Sequence, residues 1–383
     1  MQFLWFFPDL LGCLSLVVLA CTSLELGLAL FFGLVFYSTV GYLVTGSFAS
    51  VGAGLKMLLP AFCGVVLPSS ELRRRYVNLA LLGILVISCL GVFYSYVATP
   101  PWSGMAFETG DSVKAAKTTM YYLGQTRTSG LNEDPHGAAF AILALCMLVF
   151  VRTRSFFRIS CLMPLALAAI YLTTSRSSLV AALLYFTLLL FLPREGSPTR
   201  SVVLRLSLFA SFMVFVVPLG LMIYFSNVSV TDVSYAFRSL FARARESWIM
   251  PFEVMDTLAP YAYLHGYGIG GVGFPLLNSN VSSYFSPVDN FFLFNYLMFG
   301  VPYLFVYVVI AWTALREHDE YKYILLTITT IFGHFILGYG SSLFLIIYAY
   351  SINGLVVNFR LFSLRHEPVL QPLASPRKAV EIA

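Results

Sequence analysis

Runs of roughly twenty apolar residues, nearly free of charge, recur along the whole of this chain. The run from 76 to 98 holds no charged side chain at all. As a helix, such a run matches the thickness of a bilayer's hydrocarbon core. Lipid offers no hydrogen-bond partner to an open strand or loop, so helix is the conformation these runs must take. The 383 residues are 59% hydrophobic and only 11% charged, where a soluble domain carries about 25% charged residues. The fold expected is therefore an all-α, polytopic transmembrane bundle. About eleven spans are read, near 3–20, 25–45, 48–67, 76–98, 136–152, 157–173, 178–193, 203–225, 289–312, 323–338 and 341–359. The third is the weakest, because it contains Lys56 and Pro60. The 16% aromatic content suits interfacial belts as well as packing.

Basic residues orient the bundle, since short cytoplasmic loops collect Lys and Arg. With Arg73, Arg74 and Arg75 inside, alternation puts Arg152, Arg154, Arg158, Arg194, Arg200, Arg205, Arg316, Lys322 and the tail residues Arg360, Arg365, Arg377 and Lys378 inside too. Outside fall Lys114, Lys117, Arg127, Arg176, Arg238, Arg243 and Arg245. Four parts follow: a first bundle segment 1–225, an outer loop 226–288, a last bundle segment 289–359, and a cytoplasmic tail 360–383, whose prolines and lack of periodicity read as disorder. A second outer segment, Thr99 to Pro135, is rich in Gly, Ser and Thr. No basic stretch precedes the first apolar run, so a removable signal peptide is not expected. The six cysteines lie in or beside apolar runs without CxxC spacing, which reads as packing rather than metal binding or a disulfide framework.

Chemistry is expected where the outer loop meets the outer helix ends. Within 226–288, the stretch Ser234 to Leu258 has helical character, disturbed at Pro251. At about 100° per residue, Arg238, Phe241, Arg245 and Trp248 share a face, while Arg243 points elsewhere and can pair with Glu246. Those arginines either anchor a helix at the interface or bind ligand. Gly268 to Gly273 matches GxGxxG, but without a βαβ context it reads as a turn where backbones pass closely. Arg176 stands between two apolar spans among Thr174, Ser175, Ser177 and Ser178. An arginine on the disfavoured side, ringed by hydroxyls, fits an anionic group such as phosphate; the plainer alternative is snorkelling to the headgroups. Asp289 either caps a helix or acts as a general base beside Asn290, with His265 and His136 near the same face. No spacing resembles a zinc site, and no cofactor is expected.

These residues, in this order, resemble the O-antigen ligase and polymerase superfamily of bacterial polysaccharide assembly. The resemblance lies in Ser175-Arg176-Ser177 between two mid-chain helices, Arg245…Trp248 in a long outer loop, Gly266-Tyr267-Gly268-Ile269-Gly270, and Asp289-Asn290…Gly300. The stretch from Arg127 to Gly137 also resembles the family's arginine-glycine-asparagine segment. The match covers roughly 127 to 300. The Arg…Trp spacing is one residue shorter than the family's, which leaves Arg243 or Arg245 as the equivalent. The resemblance implies a metal-independent, inverting glycosyltransferase of the bacterial inner membrane, active on its periplasmic face. Its donor would be an undecaprenyl-pyrophosphate-linked glycan. Arg127, Arg176, Arg238, Arg243, Arg245, Ser175, Ser177 and Asn290 would bind substrate, and Asp289 or His265 would accept the proton. Ligases resemble this pattern with histidine where Asp289 stands, so the aspartate is more similar to polymerases of O-antigen or exopolysaccharide. The rival readings are a ligase to lipid A core and a polysaccharide or lipid transporter, although no inverted repeat is evident. A flippase and a chain-length regulator would be the protein partners, and nucleic acid is not expected.

Overall fold

The structure, a computed structural model, describes residues 3–22, 24–67, 75–101, 103–104, 106–109, 112–115, 119–122, 125–132, 134–150, 156–193, 197–229, 233–234, 237–315, 319–335 and 342–354. Arg73, Arg74, Lys117, Arg152, Arg154, Arg194, Arg316 and the tail from 360 lie outside them. The chain is predominantly helical. Its helices are α1 (Phe3–Thr22), α2 (Leu24–Thr45), α3 (Phe48–Val66), α4 (Arg75–Val97), α5 (Pro135–Phe150), α6 (Phe156–Leu172), α7 (Arg176–Phe191), α8 (Pro198–Met213) and α9 (Val216–Ser226). The 226–288 segment carries α10 (Arg238–Arg243), a π turn (Ala244–Ile249) and α11 (Met250–Leu258). Then come α12 (Phe291–Phe299), α13 (Val301–Ala314), α14 (Glu320–Gly333) and α15 (Ser342–Ser351). In their described parts, all the apolar segments read from the sequence are helical.

Four stretches, Glu25–Thr45, Phe48–Val66, Tyr76–Val97 and Pro198–Ser226, are long and apolar enough to cross a membrane, which marks the chain as a membrane protein. Six further apolar helices are shorter, at 10–17 residues. One physical reason is local breakage. Even the long stretch Pro198–Ser226 is not one helix, since Pro218 cannot donate to Val214 and the chain turns at 214–215 between α8 and α9. Gly300, at φ 68°, parts α12 from α13 where the expected span 289–312 ran straight through.

The bundle has an inside and an outside. α5 is buried over nearly its whole length, from Ala138 to Val149, and so is α14 from Lys322 to Thr330. α12 and α15 complete this centre. α14 packs on α8 and α15, α3 packs on α1 and α15, and α5 packs on α4 and α6. The peripheral helices turn large apolar side chains outward: Phe31 and Phe36 on α2, Ile84 and Ile87 on α4, Leu206 on α8, Phe305 and Trp312 on α13. An apolar surround such as lipid makes that arrangement favourable.

One feature was not expected from the sequence. The segment before α5 forms two antiparallel hairpins, β1 (Ala106–Thr109) with β2 (Ser112–Ala115) and β3 (Thr119–Tyr122) with β4 (Gln125–Thr128). Thr, Val and Tyr in these strands favour extended backbone. In the sequence, Gly110-Asp111 and Leu123-Gly124 stand between the paired strands, and the first is a recognised hairpin signal.

Candidate functional site

The second half of the 226–288 segment is a buried insert. Residues 266–273 are all buried. Ile269 N–H donates to the Tyr37 carbonyl of α2 at 2.8 Å, Tyr267 N–H to Leu297 at 2.8 Å and Gly268 N–H to Met298 at 3.0 Å. Ser50 of α3 donates to the carbonyls of Gly270 at 2.7 Å and Pro275 at 2.8 Å. Gly268, at φ 75°, lies directly against Gly41, where a Cβ has no room. This matches the close-passage reading of the glycine run. It also shows how irregular backbone survives here, since its polar groups are met by protein.

That insert delivers the chain to Asp289. Capping does not hold Asp289, because Asn290 caps α12: its Oδ1 accepts from Leu293 N–H at 3.0 Å. Asn290 Nδ2 donates to the His334 carbonyl at 2.5 Å, so this fully buried amide is used at both ends to tie α12 to α14. Asp289 Oδ2 instead pairs with Arg243 Nε at 2.7 Å, and its Oδ1 accepts from Trp248 Nε1 at 2.7 Å. Arg243 also donates to the Phe335 carbonyl at 3.1 Å. Burial pushes the Asp289 carboxyl up to about 6, outweighing the downward pull of Arg243 and of the Trp248 hydrogen bond.

The π turn explains how Arg243 and Trp248 meet on one carboxylate. Five residues apart on an α-helix, they would point about 140° away from each other. Hydrogen bonds from i to i+5 widen the turn and bring such residues over one another. The same widening corrects two expectations. Arg243 pairs with Asp289 rather than with Glu246. Arg238 and Arg245 are exposed while Phe241 and Trp248 are buried, and the π turn between Phe241 and Trp248 breaks the uniform spacing on which a single face over all four residues rests. Arg245 donates to the Ser226 carbonyl at 3.3 Å.

A second group lies where β4, α5 and α7 meet. Asp134 Oδ1 accepts from the backbone N–H of His136 at 2.8 Å and of Gly137 at 2.9 Å, capping α5. Arg127 Nη1 lies 3.4 Å from His136 Nε2, and His136 Nδ1 lies 3.2 Å from Ser175 Oγ. Arginine only donates, so Nε2 is the acceptor and the ring proton sits on Nδ1. Ser175 accepts that proton's hydrogen bond and lies 2.9 Å from Ser178 Oγ. The charges of Arg127 and Arg243 both act on His136, which places the two groups at one end of the bundle. Arg200, bonded to Glu320 at 2.7 Å and to the Pro193 carbonyl at 2.8 Å, marks the opposite end of α7.

Arg176 opens α7 and is exposed, and among the described residues none pairs with it. It borders a cavity of about 390 Å³ walled by Tyr96, Tyr171, Leu172, Thr174 and Leu179. Thr174, just before it, has φ 56°, a strained conformation for a β-branched residue, and its buried hydroxyl has no hydrogen-bond partner. Ser177 is half-buried on the first turn of α7. His265 is exposed, with Nδ1 2.8 Å from its neighbour Gly266's carbonyl, and among the described residues nothing joins it to Asp289. The sequence reading gave Trp248 no chemical role and left His136 a minor one. Only tertiary contact reveals these two as supports.

Compared with family models, with curated proteins and with solved structures, the chain matches none.

Proposed function

We propose that this protein is a glycosyltransferase that polymerises undecaprenyl-pyrophosphate-linked oligosaccharide repeats, at the outer face of the bacterial inner membrane. The observation that carries the reading is the Asp289 carboxyl, held by Arg243 and Trp248 and raised to about 6 at the end of a membrane helix bundle. A carboxyl tuned that way is ionised at neutral pH and basic enough to take a proton. In the step proposed, a hydroxyl oxygen of the acceptor repeat attacks the anomeric carbon of the donor glycan. The bond from that carbon to the pyrophosphate oxygen breaks, the carrier pyrophosphate leaves, and the hydroxyl proton passes to Asp289. Arg176, which pairs with none of the described residues, meets the charge that grows on the leaving pyrophosphate. The donor arrives laterally on its lipid, which supplies proximity. Arg243 couples the two events, since a phosphate that draws its guanidinium away releases Asp289 to act as base.

The test is incubation of purified protein with lipid-pyrophosphate-linked repeats. Longer chains and released carrier pyrophosphate are the expected products. Unchanged repeats would contradict the reading. In cells lacking the protein, single repeats capped on core distinguish a lost polymerase from a lost ligase, which leaves bare core.

A further inference from the structure

A salt bridge of 2.9 Å between Lys56 and Asp9 joins α3 to α1. Lys56 lies near the middle of the membrane-crossing stretch Phe48–Val66, and Asp9 lies within the apolar helix Pro8–Cys21. Charges at such depth are costly, and lipid gives them no hydrogen-bond partner. Yet this pair is not sealed in protein, because the Lys56 side chain is 59% exposed and that of Asp9 26%. The bridge uses one ammonium hydrogen and one carboxylate oxygen. Among the described residues no other group meets what remains. Both side chains border a cavity of about 690 Å³ between α1, α2 and α3, whose other walls are largely apolar, Leu34, Val35, Leu55 and Leu59 among them.

We propose that this face docks a second copy of the chain, across a two-fold axis along the membrane normal. Charge geometry supports this docking, independently of the proposed reaction. Such an axis keeps every residue at its own depth, so the second copy brings its own Asp9 and Lys56 to the level of the first. Unlike charges side by side at one depth are self-complementary under this rotation, the hallmark of an isologous interface. Lys56 then faces Asp9 of the second copy, and Asp9 faces Lys56 of the second copy. The unused ammonium hydrogens and carboxylate oxygens close a ring of four charges that is neutral as a whole. A lone cation would repel its own image and suit an anionic lipid headgroup. An ion pair does not, and headgroups lie at the bilayer surface, far from the middle of α3.

The chain carries its own probe. Cys13 is exposed, borders the same cavity and lies four residues after Asp9, on the same helix face. Full-length protein in lipid vesicles, treated with a thiol-specific bifunctional cross-linker long enough to span two neighbouring helices, should give a species of twice the chain's mass. That species should persist in Cys21→Ser and Cys161→Ser and vanish in Cys13→Ser. Single-molecule photobleaching should count two copies in the wild type. It should count one in Asp9→Lys and one in Lys56→Asp, which place like charges together. The combined exchange variant should count two again, which separates lost docking from lost folding. One-step bleaching of the wild type at every protein-to-lipid ratio would overturn the proposal. So would absence of the Cys13 cross-link, dimers that survive in both single variants, or failure of the exchange to restore them.

Discussion

Asp289 owes its environment to residues more than forty positions away, and its role is open to direct titration. The proposed base must be ionised to work. Its carboxyl is raised to about 6 by burial, so the active form dominates above that pH and is lost as pH falls through it. Chain elongation should fall roughly tenfold per pH unit below about 6, with a plateau above. Asp289→Asn keeps the shape and should cost about 10²–10⁴-fold in rate at normal protein level; near-normal elongation would return Asp289 to a structural role. Arg176→Lys keeps the charge but loses the fork. It should be expressed normally and lose about 10–100-fold in turnover, given about 1.5–3 kcal/mol for a charged hydrogen bond. Full activity in that variant would make Arg176 a snorkelling anchor. Thr174→Gly relieves a left-handed threonine and removes an unpartnered hydroxyl. Strain of about 1–3 kcal/mol, less about 0.5–1 kcal/mol for glycine's extra freedom, predicts a higher melting temperature. A drop in elongation at the same time would show that the strain aims Arg176. At this scale the sequence singled out Ser175 and Asp289 by position, but not their partners. His136 to Ser175 spans 39 residues and Trp248 to Asp289 spans 41, and no local spacing encodes such contacts.

Among the elements, the π turn decides which side chains reach Asp289. Deleting Ser247 should restore regular α-helix and swing Trp248 by about 100°. Helix content by circular dichroism should stay the same while elongation drops at least about tenfold. Unchanged elongation would detach the π turn from the site. Helices in this chain were legible because lipid leaves few alternatives to a long apolar run. Their breaks were less so. Pro218 and Gly300 were both visible, yet whether either interrupts a helix depends on what packs against it. The π turn was not legible at all, because 100° periodicity assumes uniform turns, and the face drawn from it separated Arg243 from Trp248. The hairpins before α5 were legible in retrospect from Gly110 and Gly124 between β-forming residues. A strong expectation of helix hid them.

The whole molecule carries the proposed chemistry at one end of α7 and the Arg200–Glu320 clasp at the other. Reporter fusions at Ser197 and Glu317 should therefore read cytoplasm, and those at Gly110 and Asn278 the outer side. An outer signal at Ser197 would put Arg176 on the wrong face for a lipid-linked donor. The central claim is glycosyl transfer by this membrane-embedded site, with Asp289 as the proton acceptor. Its most direct test is single-turnover elongation by purified protein in vesicles, wild type against Asp289→Asn, with lipid-pyrophosphate-linked repeats and a parallel donor-binding assay. The account predicts longer chains and free carrier pyrophosphate from the wild type, and donor binding without either product from Asp289→Asn. Equal elongation by both proteins, or none by the wild type, would contradict it.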